Sequence, residues 1–152
     1  MTEKDRLCLE KVTTPEKMGL EMEIRRKVFI EEQNVDPAVE YDDHESDSVQ
    51  YILTRNGSPI GCARYRWVGN SIKLERFALL KEERGKGLGR FIMDRMLEEV
   101  LPLEPETVYL HSQTAVAGFY NKCGFNPCSA VFREADIDHV RMVYGRRRCQ
   151  DD

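Results

Sequence analysis

The sequence predicts one α/β domain with an antiparallel meander at its centre. Three observations carry this expectation. Short strand-like runs alternate with runs of helical period along the chain. Three successive strand-like runs are joined by tight-turn residues, Asn56-Gly57 and then Gly69-Asn70. The 152 residues suffice for a single domain that buries about two thirds of its unfolded surface, and are too few for two ordinary ones.

Taken in order, an apolar/polar alternation at Leu7, Leu9 and Val12 predicts a first strand, which Thr13-Thr14-Pro15 stops. Thr14 suits the cap and Pro15 the first position of a helix over about 15–33, with Met18, Met22, Val28 and Phe29 among its apolar positions. Residues 36–47 contain Pro37 and no period, which predicts a loop. Strands over 49–55, 60–68 and 72–80 make the meander. A glycine-rich basic turn follows, then a helix with Leu88, Phe91, Ile92, Met96, Leu97 and Val100 on or near one face, ended by Pro102 and Pro105. Residues 108–111 predict a short strand and 115–122 a short helix with Gly124 as its C-terminal cap. Strands over 125–132 and 137–144 complete a domain of residues 1–145, and 146–152 form a charged tail.

Composition narrows the function. The net charge of −4 argues against a dedicated nucleic-acid binder. That average hides a division, because residues 31–47 hold eight acids and no Lys or Arg, so removing −8 from −4 leaves the remainder at +4. The acidic segment reads either as a solvated loop or as a rim that attracts a cationic amine, and Asp42-Asp43-His44-Glu45 lacks the spacing of a calcium loop. No secretory apolar core follows Met-Thr-Glu-Lys-Asp-Arg and no run of 18 apolar residues occurs, so the expectation is a cytoplasmic protein off the membrane, with nuclear entry left open. Five cysteines, odd in number and without zinc-site spacing, read as reduced packing thiols, and no metal is expected.

The most informative stretch is Arg84-Gly85-Lys86-Gly87-Leu88-Gly89-Arg90, a tight turn between a strand and a helix. Backbone N–H groups exposed at a helix N-terminus, with cationic side chains around them, favour a phosphate or pyrophosphate. The nucleotide-hydrolysis loop is disfavoured, since the lysine precedes its glycine and no Ser or Thr follows. The dinucleotide fingerprint fails on spacing and on the antiparallel strands before the turn. A turn that binds nothing is the alternative.

Arg84-Gly85-Lys86-Gly87-Leu88-Gly89 resembles the (Gln/Arg)-x-x-Gly-x-(Gly/Ala) signature of the GNAT superfamily of N-acetyltransferases. Downstream, Gln113 to Phe125, with Phe119-Tyr120 and Gly124-Phe125, is similar to the family's second motif. Upstream, Arg26-Lys27-Val28-Phe29-Ile30-Glu31-Glu32-Gln33 resembles an element of the ElaA/YjcF-like branch, as do Phe132-Arg133-Glu134 and Ile137 to Met142 near the end. The resemblance spans about residues 7–144. It implies a three-layer α-β-α domain with a mixed, largely antiparallel sheet, and acetyl-CoA as acyl donor. It also implies that the backbone of Phe77, Ala78 and Leu79 pairs with pantetheine, that the Leu79 N–H polarises the thioester, and that Arg84, Gly85, Lys86, Gly87, Leu88, Gly89 and Arg90 hold the pyrophosphate. Gln113 stands where the motif usually has Asn, which changes the reach of that amide.

Acyl transfer to an amine needs a proton acceptor, an oxyanion site and a proton for the departing thiolate. The resemblance places Tyr120 as the proton donor. Glu75 is the first choice for the base: on strand parity it shares a face with Phe77 and Leu79, where desolvation would raise its pKa, and the alternative is a salt bridge with Arg76 or Lys73. His111 and His139 are rival bases. A Cys123 acyl intermediate is disfavoured, because no activating His is adjacent in sequence. The expected activity is transfer of acetyl from acetyl-CoA to a small-molecule or peptidyl primary amine in a ternary complex, by a monomer or homodimer without nucleic acid. The alternatives are a non-catalytic acyl-CoA-binding module and a structural domain whose glycines serve only the turn.

Overall fold

The computed structural model describes residues 6–41 and 47–145. Asp42, Asp43 and Glu45 of the acidic segment, and the tail 146–152, lie outside them. One eight-stranded sheet organises the chain, from β1 (Leu7–Lys11), β2 (Val49–Arg55), β3 (Ser58–Val68) and β4 (Ser71–Leu79) to β5 (Val108–Gln113), β6 (Phe125–Pro127), β7 (Phe132–Glu134) and β8 (Ile137–Tyr144). The order is β1-β2-β3-β4-β5-β8-β6, with β7 also on β8. Only β4 and β5 run parallel, so the sheet is mixed and largely antiparallel.

The turn chemistry works as read. Asn56 and Gly57 both adopt positive φ, 51° and 86°, the pairing that a two-residue hairpin turn demands. Thr14 caps α1 (Pro15–Arg25) by accepting from the Lys17 N–H at 3.2 Å. The expected helix over 15–33 is in fact two: α1 ends at Arg25 and a π-helical segment, Arg26–Glu32, continues it. Such segments often occur at functional sites. The expected loop over 36–47 begins with a short helix, α2 (Pro37–Glu40), capped by the Asp36 carboxylate on the Ala38 N–H at 2.9 Å. The expected strand over 125–132 is two short strands, because both return to β8 at different points.

The helices cover both faces, which gives the three layers. One core cluster joins Leu53, Ala63 and Leu74 to Leu88, Ile92, Met93 and Met96 of α3 (Leu88–Val100). The other joins their strand neighbours Ile52 and Cys62, with Ala78, to Ile24 of α1 and Val28 of the π-helical segment. Six residues of α3 are buried, each contributing up to roughly 1.5–3 kcal/mol relative to exposure. α4 (Ala117–Lys122) packs beside β5 and β6.

Two irregularities shape the centre. The β3–β4 register slips between Cys62, opposite Ala78, and Arg64, opposite Glu75, so β4 carries an extra residue there. Arg76 absorbs it with a left-handed φ of 58°. Meanwhile β4 and β5 pair only from Ile72–Leu74 to Val108–Leu110, and beyond those three pairs the parallel strands part.

Candidate active site

A cavity of about 850 Å³ opens where β4 and β5 separate. Glu75, Phe77, Ala78, Leu79, Arg84, Gly85, Gly87, Leu88, Gly89, Gln113 and Tyr120 all line it, as do His111 and His139. Lys86 and Arg90 do not. Arg90 donates to Asp94 at 3.0 Å and to the Lys122 carbonyl at 3.1 Å, on the outer side of α3, while Lys86 lies 3.6 Å from Glu83.

The backbone at the end of β4 faces the opening. The Leu80 N–H bonds to the Ile60 carbonyl on β3 at 3.0 Å, so the alternation of a strand turns the Leu79 N–H and C=O the other way, toward the side from which β5 has departed. Arg84 secures the Leu79 carbonyl with Nε at 3.1 Å and Nη2 at 2.9 Å. Its guanidinium also grips Glu32 at the end of the π-helical segment, at 2.6 and 2.9 Å. The guanidinium thus fastens the strand end to the acidic segment at the edge of the cavity.

Gly87 is the N-cap of α3 and adopts φ 80°, and a Cβ built there meets nothing within 4 Å. Gly89 has the opposite reason to be glycine, since a Cβ would lie 3.1 Å from the Phe119 ring. The N-terminus of α3 thus keeps its N–H groups open to the cavity while packing closely on α4.

Tyr120 stands among aromatic rings, with centroids 5.1 Å from Phe119 and 6.3 Å from both Phe77 and Phe125. Burial raises its pKa well above the ordinary phenol value, so it remains protonated at neutral pH. Its hydroxyl has no hydrogen-bond partner among the described residues. Gln113 donates from Nε2 to Gln33 Oε1 at 2.9 Å, which ties the start of the second motif to the end of the π-helical segment.

The expected environment of Glu75 is overturned. The bulge at Arg76 breaks the strand parity, so Phe77 and Leu79 join the cluster on the α3 side. The Glu75 carboxylate instead meets Arg64 Nη2 at 2.9 Å, Arg66 Nε at 3.0 Å and Lys73 Nζ at 3.1 Å. Burial works to raise its pKa, but these three cations override it and hold the carboxyl at about 2. Arg76, the other expected partner, pairs with Glu40 at 3.0 Å.

Histidines mark the far wall. His111 Nδ1 lies 3.0 Å from Glu134 Oε1, and this bond holds Glu134 below the usual carboxylate range. With Nδ1–H donating, His111 Nε2 carries the free lone pair. His139 Nδ1 donates to the Ile137 carbonyl at 2.7 Å, and Nε2 lies 3.9 Å from Glu134 Oε2. Cys123 is buried and its thiol pushed up, an environment that suits packing and not a nucleophile.

At the described positions of the acidic segment the acids are exposed except Glu40, and several of them have partners. Glu31 pairs with Arg26, Glu32 with Arg84, and Asp36 caps α2. Glu40 is buried against Arg25 Nε at 2.5 Å and Arg76 Nε at 3.0 Å. Sequence reading named Lys73 as a partner of Glu75 but missed Arg64 and Arg66 beside it, the bond from Glu134 to His111, and the Glu40 ion cluster. Part of the signal was present, since Arg64 and Arg66 alternate with Tyr65 and Trp67, and Lys73 and Glu75 with Leu74, the period of strands with one charged face. Among the described residues no group of His, Cys, Asp and Glu is arranged to hold a metal ion, and no helix is long and apolar enough to cross a membrane.

Comparison with known proteins agrees with this geometry. The profile of the acetyltransferase (GNAT) domain matches residues 10–145. The chain is 41% identical over 139 residues to the protein YyaT of Bacillus subtilis (strain 168), covering 89% of this chain and 93% of YyaT. It is 32% identical over 121 residues to the N-acetyltransferase YjcF of the same organism, covering 79% and 86%. The crystal structure of Escherichia coli ElaA superposes with a TM-score of 0.81 at 23% identity, over 93% of this chain and 99% of ElaA.

Proposed function

The chain belongs to the GNAT family of acetyl-CoA-dependent N-acetyltransferases, and on that premise we propose that it transfers acetyl to a primary amine by direct attack within a ternary complex. The observation that carries this reading is the parting of β4 and β5 beyond Leu74 and Leu110, which leaves the Leu79 N–H unpaired by β5 at the head of the glycine turn. Pantetheine takes the place of the missing strand beside Phe77, Ala78 and Leu79, and the pyrophosphate sits on the backbone of residues 85–89. An extended chain docked this way satisfies strand backbone groups that would otherwise face an empty gap.

The amine nitrogen attacks the thioester carbon, and the Leu79 N–H holds the developing oxyanion. The C–S bond then breaks, and the Tyr120 hydroxyl, kept neutral by burial, gives its proton to the departing thiolate. The amine's proton goes to His111 Nε2, with Glu134 fixing the tautomer from the opposite ring nitrogen. A carboxylate held at about 2 by three cations is a poor proton acceptor, so Glu75 is read as the organiser of those cations and not as the base.

Steady-state kinetics of Tyr120→Phe and His111→Gln, with acetyl-CoA affinity measured separately, test this assignment. Each variant is expected to lose about 10²-fold or more in kcat while acetyl-CoA binding is unchanged. Undiminished kcat in either removes that residue from its role. Stabilisation by acetyl-CoA with no turnover of any amine would instead favour the acyl-CoA-binding module.

A further inference from the structure

We propose that the acceptor amine carries an oxyanion, a carboxylate or a phosphate, near its reacting nitrogen, and that Arg66 and Lys73 bind that anion. The proposal rests on the acyl-transfer reading above and names the substrate class for it.

The partners of Arg66 and Lys73 lead there. Arg66 and Lys73 meet at the carboxylate of Glu75, which they share with Arg64. Arg64 is fully buried, while the Arg66 and Lys73 side chains keep 17% and 12% exposure and line the cavity. Arg66 spends only Nε on Glu75, and its two Nη groups have no partner among the described residues. Lys73 makes one ion pair, with Glu75 Oε2. Largely dehydrated guanidinium N–H groups without acceptors are costly unless an anion joins them. The cavity is where that anion can enter.

Beside them, on β5 and β7, stand groups of the complementary character. Glu134 and His111 can receive an ammonium group and then its proton. Lys73 is in register with Tyr109, and His111 lies two residues further along β5, roughly 7 Å at about 3.3 Å per residue. The amine and carboxylate of one α-amino acid, each with a hydrogen bond to its own wall, cover a similar span. A plain diamine fits worse, because its second ammonium would meet Arg66 and Lys73. Nor do Glu32 and Glu40 invite it, both being committed to arginines.

Thiol release from acetyl-CoA, measured over matched acceptors, tests the proposal. Suitable pairs are L-alanine with L-alaninamide, L-phenylalanine with phenethylamine, and O-phosphoethanolamine with ethanolamine. The anion-bearing member of the carboxylate or the phosphate pairs is expected to show a kcat/KM about tenfold or more above its partner, the worth of a charge-assisted hydrogen bond, and the responding pairs identify the anion. Arg66→Gln and Lys73→Met should each raise the KM for that acceptor about tenfold, narrow the preference, and leave thermal stabilisation by acetyl-CoA unchanged. That stabilisation also reports that each variant is folded. Preference for the neutral or cationic members, or a preference unaltered in both variants, overturns the anion subsite and leaves acetyl transfer standing. Acetyl-CoA binding with no acceptor used overturns both.

Discussion

Glu75 concentrates the site's electrostatics in one side chain. Its folded pKa of about 2 lies below the ordinary carboxyl value of 4.5, so the stability it contributes is fully present above pH 4.5 and is lost as the pH falls toward 2. Denaturant titrations across that window should show wild-type stability declining with acid, and Glu75→Gln declining less from a lower starting point, since its three cations lack their counter-charge at every pH. Parallel profiles for the two proteins would show that the ion cluster does not set the acid limit. Tyr120 is the converse case. Its position at Phe119-Tyr120 is plain in the sequence, whereas its fitness as a donor comes from burial among Phe77, Phe119 and Phe125, on three different elements. Glu75 was equally visible as a residue, but its environment depended on Arg64 and Arg66 of β3 and on a bulge that inverted its face.

At the scale of elements, two devices fix the cavity walls. The first is α2, pinned by Glu40 between Arg25 of α1 and Arg76 of β4. Glu40→Ala leaves two buried guanidinium groups without their shared carboxylate, a loss of about 3–5 kcal/mol that should lower the melting temperature by roughly 10 °C in a chain of this size. A thermal scan reads this directly, and a shift within a degree or two would demote the cluster to a dispensable contact. The second device is the left-handed cap at Gly87, where a branched side chain adds conformational strain and occupies the space above the helix N-terminus. Gly87→Val should weaken acetyl-CoA binding by about tenfold or more in calorimetric titration, and undiminished affinity would move the pyrophosphate away from this turn. The turn is legible in sequence because glycine spacing is local information. α2 is not, since a stretch with Pro37 and many acids shows no helical period, and the charges around it make sense only beside Arg25, Arg76 and Arg84.

The whole molecule is a sheet covered on both faces and opened at one seam. If acetyl-CoA closes that seam, a concentration 100 times its dissociation constant should stabilise the protein by about 2.7 kcal/mol and raise its melting point by about 5–10 °C. No shift would return the glycine turn to a purely structural role. The net charge of −4 is likewise rearranged by folding: Glu31, Glu32 and Glu40 are drawn onto arginines, and Arg66 and Lys73 line the cavity around Glu75. Sequence by itself determined the order of the main elements, the hairpin turns, the glycine turn, the family and the tyrosine, because each is written in local spacing or in a contiguous motif. Tertiary structure alone decided the parting of β4 from β5, the face that Glu75 occupies, the pairing of His111 with Glu134 and the placing of Arg66 and Lys73 on the cavity. Those features arise between strands distant in the chain, where register and a single bulge set which side chains meet and which charges face the cavity.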